Sequence, residues 1–247
     1  MKKIFSIMAV AVLTFSISTV YTLAEGDNST VEPAFDVRYE TFWDLLDSNF
    51  NPKIPQEDRW MLDYWVGDYI KNEPVDSEGI RVTVKVAADE EFRAKHEGYW
   101  QEYTFQLIEK MDDSMYRDFN INFTIEEYAE WQTDGNSAVD ITHELNSEMR
   151  DDENFDFVIG FTIDENYDSA KGMAITWAGV NTVYGVESPS KMWRTILHEV
   201  GHNYGIPHCE LPNIDCIMGH NLHKVDHFCD DHTEMFEENK YLHGTPQ

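Results

Sequence analysis

His198-Glu199-Val200-Gly201-His202-Asn203-Tyr204-Gly205-Ile206-Pro207-His208 is the stretch from which this 247-residue sequence is best read. Residues four apart share one face of an α-helix, so His198 and His202 can bring two imidazoles to one ion while Glu199 projects beside them. Ser188 is a good N-cap with Pro189 at the first helical position, and Gly205 supplies a left-handed stop, which predicts a helix from Pro189 to about Tyr204. Ile206-Pro207 then turns the chain, so that His208, six residues beyond His202, can come back to the same ion. Imidazole ligands with no redox requirement favour Zn²⁺, which with three protein ligands lowers the pKa of a bound water to about 7. Glu199 stands where a general base for that water is needed, and could later return the proton to a leaving amine. Five specified positions in eleven residues are far more specific than a bare HExxH.

Upstream, two periodicities alternate. Ile80, Val82, Val84 and Val86 repeat every second residue, as in a strand with one buried face. Tyr99, Tyr103, Leu107, Met111 and Met115 repeat every fourth and form the core stripe of a long helix. Phe119, Ile121, Phe123 and Ile125 predict a second strand, Ile141, Leu145 and Met149 a second helix, and Phe155 to Phe161 a third strand. Gly172-Met173-Ala174-Ile175-Thr176-Trp177-Ala178-Gly179 reads as a fourth strand ending in a turn, with Asn181 to Tyr184 as a fifth. Strand, helix, strand, helix, strand is the pattern of a βαβ-type sheet.

The whole pattern resembles the metzincin zinc metallopeptidases, in which HExxHxxGxxH is followed by a methionine turn; here Cys216-Ile217-Met218-Gly219 sets Met218 ten residues past His208. The resemblance implies a mixed α/β (α+β) zincin fold over residues 80–247: a twisted, mostly parallel sheet with an antiparallel edge strand, the active-site helix, and a small irregular C-terminal subdomain. It implies that His198, His202 and His208 hold a catalytic zinc and that Met218 lies beneath them. It also implies that the edge strand Gly172 to Gly179 binds a protein or peptide substrate by strand addition. Some metzincins carry a Tyr two residues after the Met, a position filled here by His220. His223 and His243 read as solvated surface residues.

Cys209 directly after the third His is similar to the archaemetzincins, whose four cysteines hold a second, structural zinc. This chain has Cys209, Cys216 and Cys229 in that order, with His232 in place of the last Cys. Cys₃His is a competent closed zinc site. The competing reading, suited to an oxidising compartment, pairs Cys209 with Cys216 and leaves Cys229 odd. A non-proteolytic zinc-binding protein on the same scaffold is the alternative to an endopeptidase, and loss of Glu199 or a ligand would be its mark.

At the N-terminus, Lys2 and Lys3 precede an apolar run from Ile4 to about Val20 and then Thr22-Leu23-Ala24, the form of a signal peptide (residues 1–24). An uncleaved anchor is the competing reading. The expected mature protein is secreted or extracytoplasmic, free of the membrane and monomeric. Residues 25–79 are acidic and aromatic, either a removable pro-segment or a packed extension; within them Trp65-Val66-Gly67-Asp68 is similar to the motif by which astacin pro-segments place an Asp on the metal. Asp and Glu number 47 against 18 Lys and Arg, a formal net charge of −29 that excludes nucleic acid as an ordinary partner.

Overall fold

The structure, a computed structural model, describes residues 79–150, 154–167, 170–210 and 214–247. The expected signal peptide and all but the last residue of the acidic and aromatic segment lie outside them, as does the Trp65–Asp68 motif. Among the described residues, no helix is long and apolar enough to cross a membrane.

The alternation at Ile80 becomes β1 (Ile80–Ala88), whose Val82, Val84 and Val86 are fully buried. Asp89 then caps a short helix, α1 (Glu90–Lys95), through its carboxylate on Phe92 N–H at 2.7 Å. The four-residue stripe becomes α2 (Trp100–Phe119), closed by Asn120 in a left-handed conformation. Next come β2 (Ile121–Glu130), α3 (Ala138–Met149), β3 (Phe157–Thr162), β4 (Gly172–Ile175) and β5 (Val180–Tyr184). The chain ends with α4 (Pro189–Asn203), a 3₁₀ turn at Leu222–Lys224, α5 (Asp230–Asn239) and β6 (Thr245–Pro246).

The sheet order is β2-β1-β3-β5-β4, with β6 beside β1. β1 is parallel to β2 and β3, and β3 to β5; β4 runs antiparallel to β5 at the edge. This is the mixed, mostly parallel sheet with an antiparallel edge strand that the sequence led us to expect. Parallel strands joined through helices bury both faces. On one face Val82, Val84 and Phe157 pack with Leu107 and Met111 of α2 and Ile196 and Val200 of α4. On the other, Val158 and Val180 pack with Trp131 and with Ile141 and Leu145 of α3.

One expectation needs correction. Only Gly172, Met173, Ala174 and Ile175 are strand; Thr176, Trp177, Ala178 and Gly179 form the turn into β5. The strand stops because Trp177 adopts φ +68° and Ala178 N–H bonds back to Ile175 O at 3.0 Å. An aromatic side chain gives no warning of that left-handed conformation.

Candidate metal centre and cleft

Helix α4 presents its buried face, with His198 and Glu199, to the sheet edge formed by β5 and β4. One side chain fixes that contact. Asn203 Nδ2 donates to Ile175 O at 3.1 Å, Ala178 O at 2.5 Å and Val180 O at 2.9 Å, and its Oδ1 accepts from Asn181 Nδ2 at 2.8 Å. The end of the helix and the β4–β5 hairpin are therefore held together by a fully buried amide.

After α4, Gly205 takes φ +81°, and Tyr204 and Gly205 N–H close the helix onto Val200 O and His202 O. The turn brings His208 back as its spacing suggested. His208 Nε2 stands 3.3 Å from His198 Nε2 and 3.0 Å from His202 Nε2. His198 Nδ1 faces Ile217 O and His202 Nδ1 faces Ile206 O, each at 2.8 Å. A carbonyl only accepts, so both Nδ1 atoms carry the hydrogen and both Nε2 atoms offer lone pairs. One proton on His208 can serve only one of its two contacts, whereas one cation serves all three nitrogens. The donor set therefore fits a zinc ion on the chemistry of its own hydrogen bonds. Burial reinforces this: it lowers the pKa of His202 and pushes that of His198 down to about 4, keeping both rings neutral.

Glu199 is buried beside these rings, and loss of water around its carboxylate raises its pKa to about 8. Gly172 of β4 makes room for it: a Cβ there would lie 2.5 Å from Glu199 Oε1. Met218 packs on the helix at Gly201, between His198 and His202 in sequence, where a Cβ would lie 2.6 Å from its sulfur. The same turn supplies the carbonyl of Ile217 that orients His198, and Met218 O accepts from Cys209 N–H at 2.8 Å.

An open cleft of about 400 Å³ lies over the three histidines and Glu199. It is lined from the strand side by Lys171 to Ala174 with Thr176, and by Leu222 and His223 of the 3₁₀ turn that packs on α4. His220 is exposed and does not line the cleft, while His223, expected at the surface, does. His243 is half-buried, its ring Nε2 3.2 Å from Asn203 O. Of these placements only the helix and turn could be read from spacing; Asn203, Gly172 and His223 carry no signal of their own.

The second group also converges. Cys209, Cys216, Cys229 and His232 place one donor atom each within 4.8 Å of one another. Cys229 is the N-cap of α5 and His232 sits in its first turn, so three residues of spacing bring both to one side. Cys216 Sγ and Cys229 Sγ lie 3.3 Å and 3.4 Å from His232 Nδ1. All three cysteines are free, so Cys209 and Cys216 are unpaired in this structure. Burial pushes the Cys216 thiol up to about 12 and lowers the pKa of His232.

Residues 79–235 match the model of metallo-peptidase family M12 over well more than half of the chain. The chain belongs to metallo-peptidase family M12. As a member of family M12 it is of metallopeptidase kind, and its three-imidazole centre is the donor set zinc takes. No curated protein matches it. A chain described in a chaperone–substrate complex is similar in fold, at 16% identity over 61% of this chain, with TM-score 0.50. This chain spans 29% of that one's length. Archaemetzincin from Archaeoglobus fulgidus is 13% identical (62% of this chain, 99% of that one, TM-score 0.40). Metalloproteinase-II from Bacteroides fragilis is 13% identical (68% and 55%, TM-score 0.47).

Proposed function

We propose that the protein is a secreted zinc endopeptidase of metzincin type, with His198, His202 and His208 as ligands of one zinc and Glu199 as the proton-transfer group. The observation that carries this reading is the convergence of three imidazole nitrogens on the floor of an open cleft, beside Glu199 and beneath the edge strand β4. A zinc ion held there supplies a Lewis acid that polarises a carbonyl and makes water a better nucleophile at neutral pH. The chain's own residues do the rest. β4 offers its outer edge to an extended peptide, which pairs with it as an added strand and is thereby laid across the histidines. Glu199 takes a proton from the attacking water and delivers it to the leaving amine nitrogen, acting as base and then as acid. Its pKa, raised by burial toward neutrality, suits both halves of that task.

Cys209, Cys216, Cys229 and His232 are proposed to hold a second, structural zinc, since four buried or half-buried donors with no disulfide match a closed Cys₃His site. Lys2, Lys3 and the following apolar run support export, with substrates outside the cytoplasm. Elemental analysis of zinc per chain, run beside cleavage of a peptide library, tests the set. Wild type should hold two zincs and Cys229→Ser one. Glu199→Gln should keep both ions and lose about 10²-fold or more in kcat. Zinc-free protein, or full activity in Glu199→Gln, would sink the peptidase reading; one zinc in wild type would remove the second site alone.

A further inference from the structure

If the cleft cleaves peptides as proposed above, its two ends differ in a way that bears on the substrate. β4 starts at Gly172, against Glu199, and after Ile175 the chain reaches Trp177, whose N–H lies 3.4 Å from His202 O and whose indole rests on Gly205. Antiparallel pairing is the more stable sense for an added strand. A peptide antiparallel to β4 therefore has its N-terminal part near Trp177 and its C-terminal part at Lys171. Lys171 lines the cleft there and is one of the charges that act on His223, which lines the cleft together with Thr195 and Leu222.

Thr195 spends its hydroxyl on Lys191 O at 3.1 Å. His223 lines the cleft and makes no hydrogen bond among the described residues; its Nδ1 is sealed from solvent, so the ring nitrogen left to meet a ligand is Nε2. The charged groups acting on His223 are Lys191, Arg194 and Lys171 against a single carboxylate, Glu187. Glu187 bridges Lys171 and Lys191 at 2.9 Å and 2.8 Å and so offsets one of the three cations. Arg194 is bound to carbonyl oxygens of Val225 and Ser190, and the carboxylate that acts on it, Asp226, is itself paired with Arg117 at 3.1 Å. In a chain with 47 acidic and 18 basic residues this end of the cleft is a local reversal of sign.

We propose that this end of the cleft is a carboxylate-binding subsite with His223 and Lys171 as its donors, so that the protein prefers peptides bearing an acidic group on the C-terminal side of the cleaved bond. The carboxylate has two sources: an Asp or Glu side chain, or the C-terminus of a short peptide. Both make the same charge-assisted hydrogen bonds.

The test uses zinc-loaded full-length chain and matched peptides carrying Glu or Gln after the cleaved bond, each with a free or an amidated C-terminus. Because hydrogen bonds to charged groups are each worth about 1.5–3 kcal/mol, one acidic form should be favoured about tenfold or more in kcat/KM. A preference for Glu over Gln identifies the side chain, and one for free acid over amide identifies the chain end. The ratio should fall toward one in His223→Leu and in Lys171→Met, and largely survive in His223→Gln, which keeps a donor. Anisotropy of the same labelled peptides on Glu199→Gln protein should reproduce the ratio without turnover. Equal cleavage of all four peptides, or a ratio untouched by Leu and Met at these positions, overturns the subsite and leaves the peptidase standing. No cleavage of any peptide sinks the peptidase reading, and the anisotropy ratio alone then decides the subsite.

Discussion

Gly172 leaves the space that Glu199 occupies, and the closeness of that approach makes it testable. Any side chain at position 172 meets the carboxylate before it meets anything else. Gly172→Ala should displace Glu199 while leaving the fold intact, and a misplacement near 1 Å costs about a hundredfold in rate. Steady-state kinetics beside a thermal melt would show kcat falling with Tm nearly unchanged; an unchanged kcat would mean that the carboxylate does not need this seat. Asp89 offers a second test at the same scale. It is fully buried and caps α1, its other oxygen accepting Ile163 N–H at 3.1 Å, and burial raises its pKa from 3.8 to about 6. The folded state therefore holds this proton more tightly than the unfolded chain. Its contribution to stability is complete below about pH 4 and is lost as pH rises through about 6. Denaturation midpoints measured from pH 4 to pH 6.5 should fall more steeply in wild type than in Asp89→Asn; parallel curves would show that Asp89 does not titrate in this window.

Between elements, the decisive contact is the amide of Asn203 across the β4–β5 hairpin. Asn203→Ala takes a donor from the carbonyls of Ile175, Ala178 and Val180 and the acceptor from Asn181; Ile175 O keeps its bond from Ala178 N–H, and each group left wholly unsatisfied costs about 1–3 kcal/mol. Chemical denaturation should show a loss on the order of 3 kcal/mol, and KM should rise as β4 loosens. A variant with wild-type stability would assign the hairpin's position to packing instead. Asn203 also marks where sequence reading stops. The helix, its glycine stop and the returning histidine follow from spacing alone, as do β1 and α2 from their periods. Within the eleven-residue motif Asn203 looks like a free position, because its partners lie some 25 residues upstream and only the folded hairpin brings them near. The sequence makes β4 four residues too long because nothing in Thr176-Trp177-Ala178 announces a positive φ. Helix α1 could have been found: Asp89 followed by Glu90 and Glu91 is a start signal. α5 could not, since it is capped by a cysteine and buries only His232 and Phe236. His223 reaches the cleft through the packing of its 3₁₀ turn on α4, which no local pattern encodes.

Across the whole molecule, the two donor clusters share a backbone. His208 is bonded to Cys209, and Cys216 precedes the Ile217 whose carbonyl orients His198. Disorder in the cysteine cluster therefore has a direct route to the imidazoles. Cys229→Ser should lower Tm by several degrees and also weaken zinc retention at the histidines, measured by competition with a chelator; full retention would make the clusters independent. The edge strand has a further consequence, a colloidal one. Among the described residues nothing pairs with the outer side of β4, and a rail of open backbone donors and acceptors is a template for a second copy as much as for a peptide. Chains carrying −29 each repel one another, and in dilute buffer that repulsion opposes such pairing. The Debye length shrinks from about 10 Å at 0.1 M salt to about 3 Å at 1 M, so light scattering should show self-association appearing as salt is raised. Ala174→Pro, at a position whose N–H faces away from β5, spoils the rail without breaking the β4–β5 ladder and should abolish it.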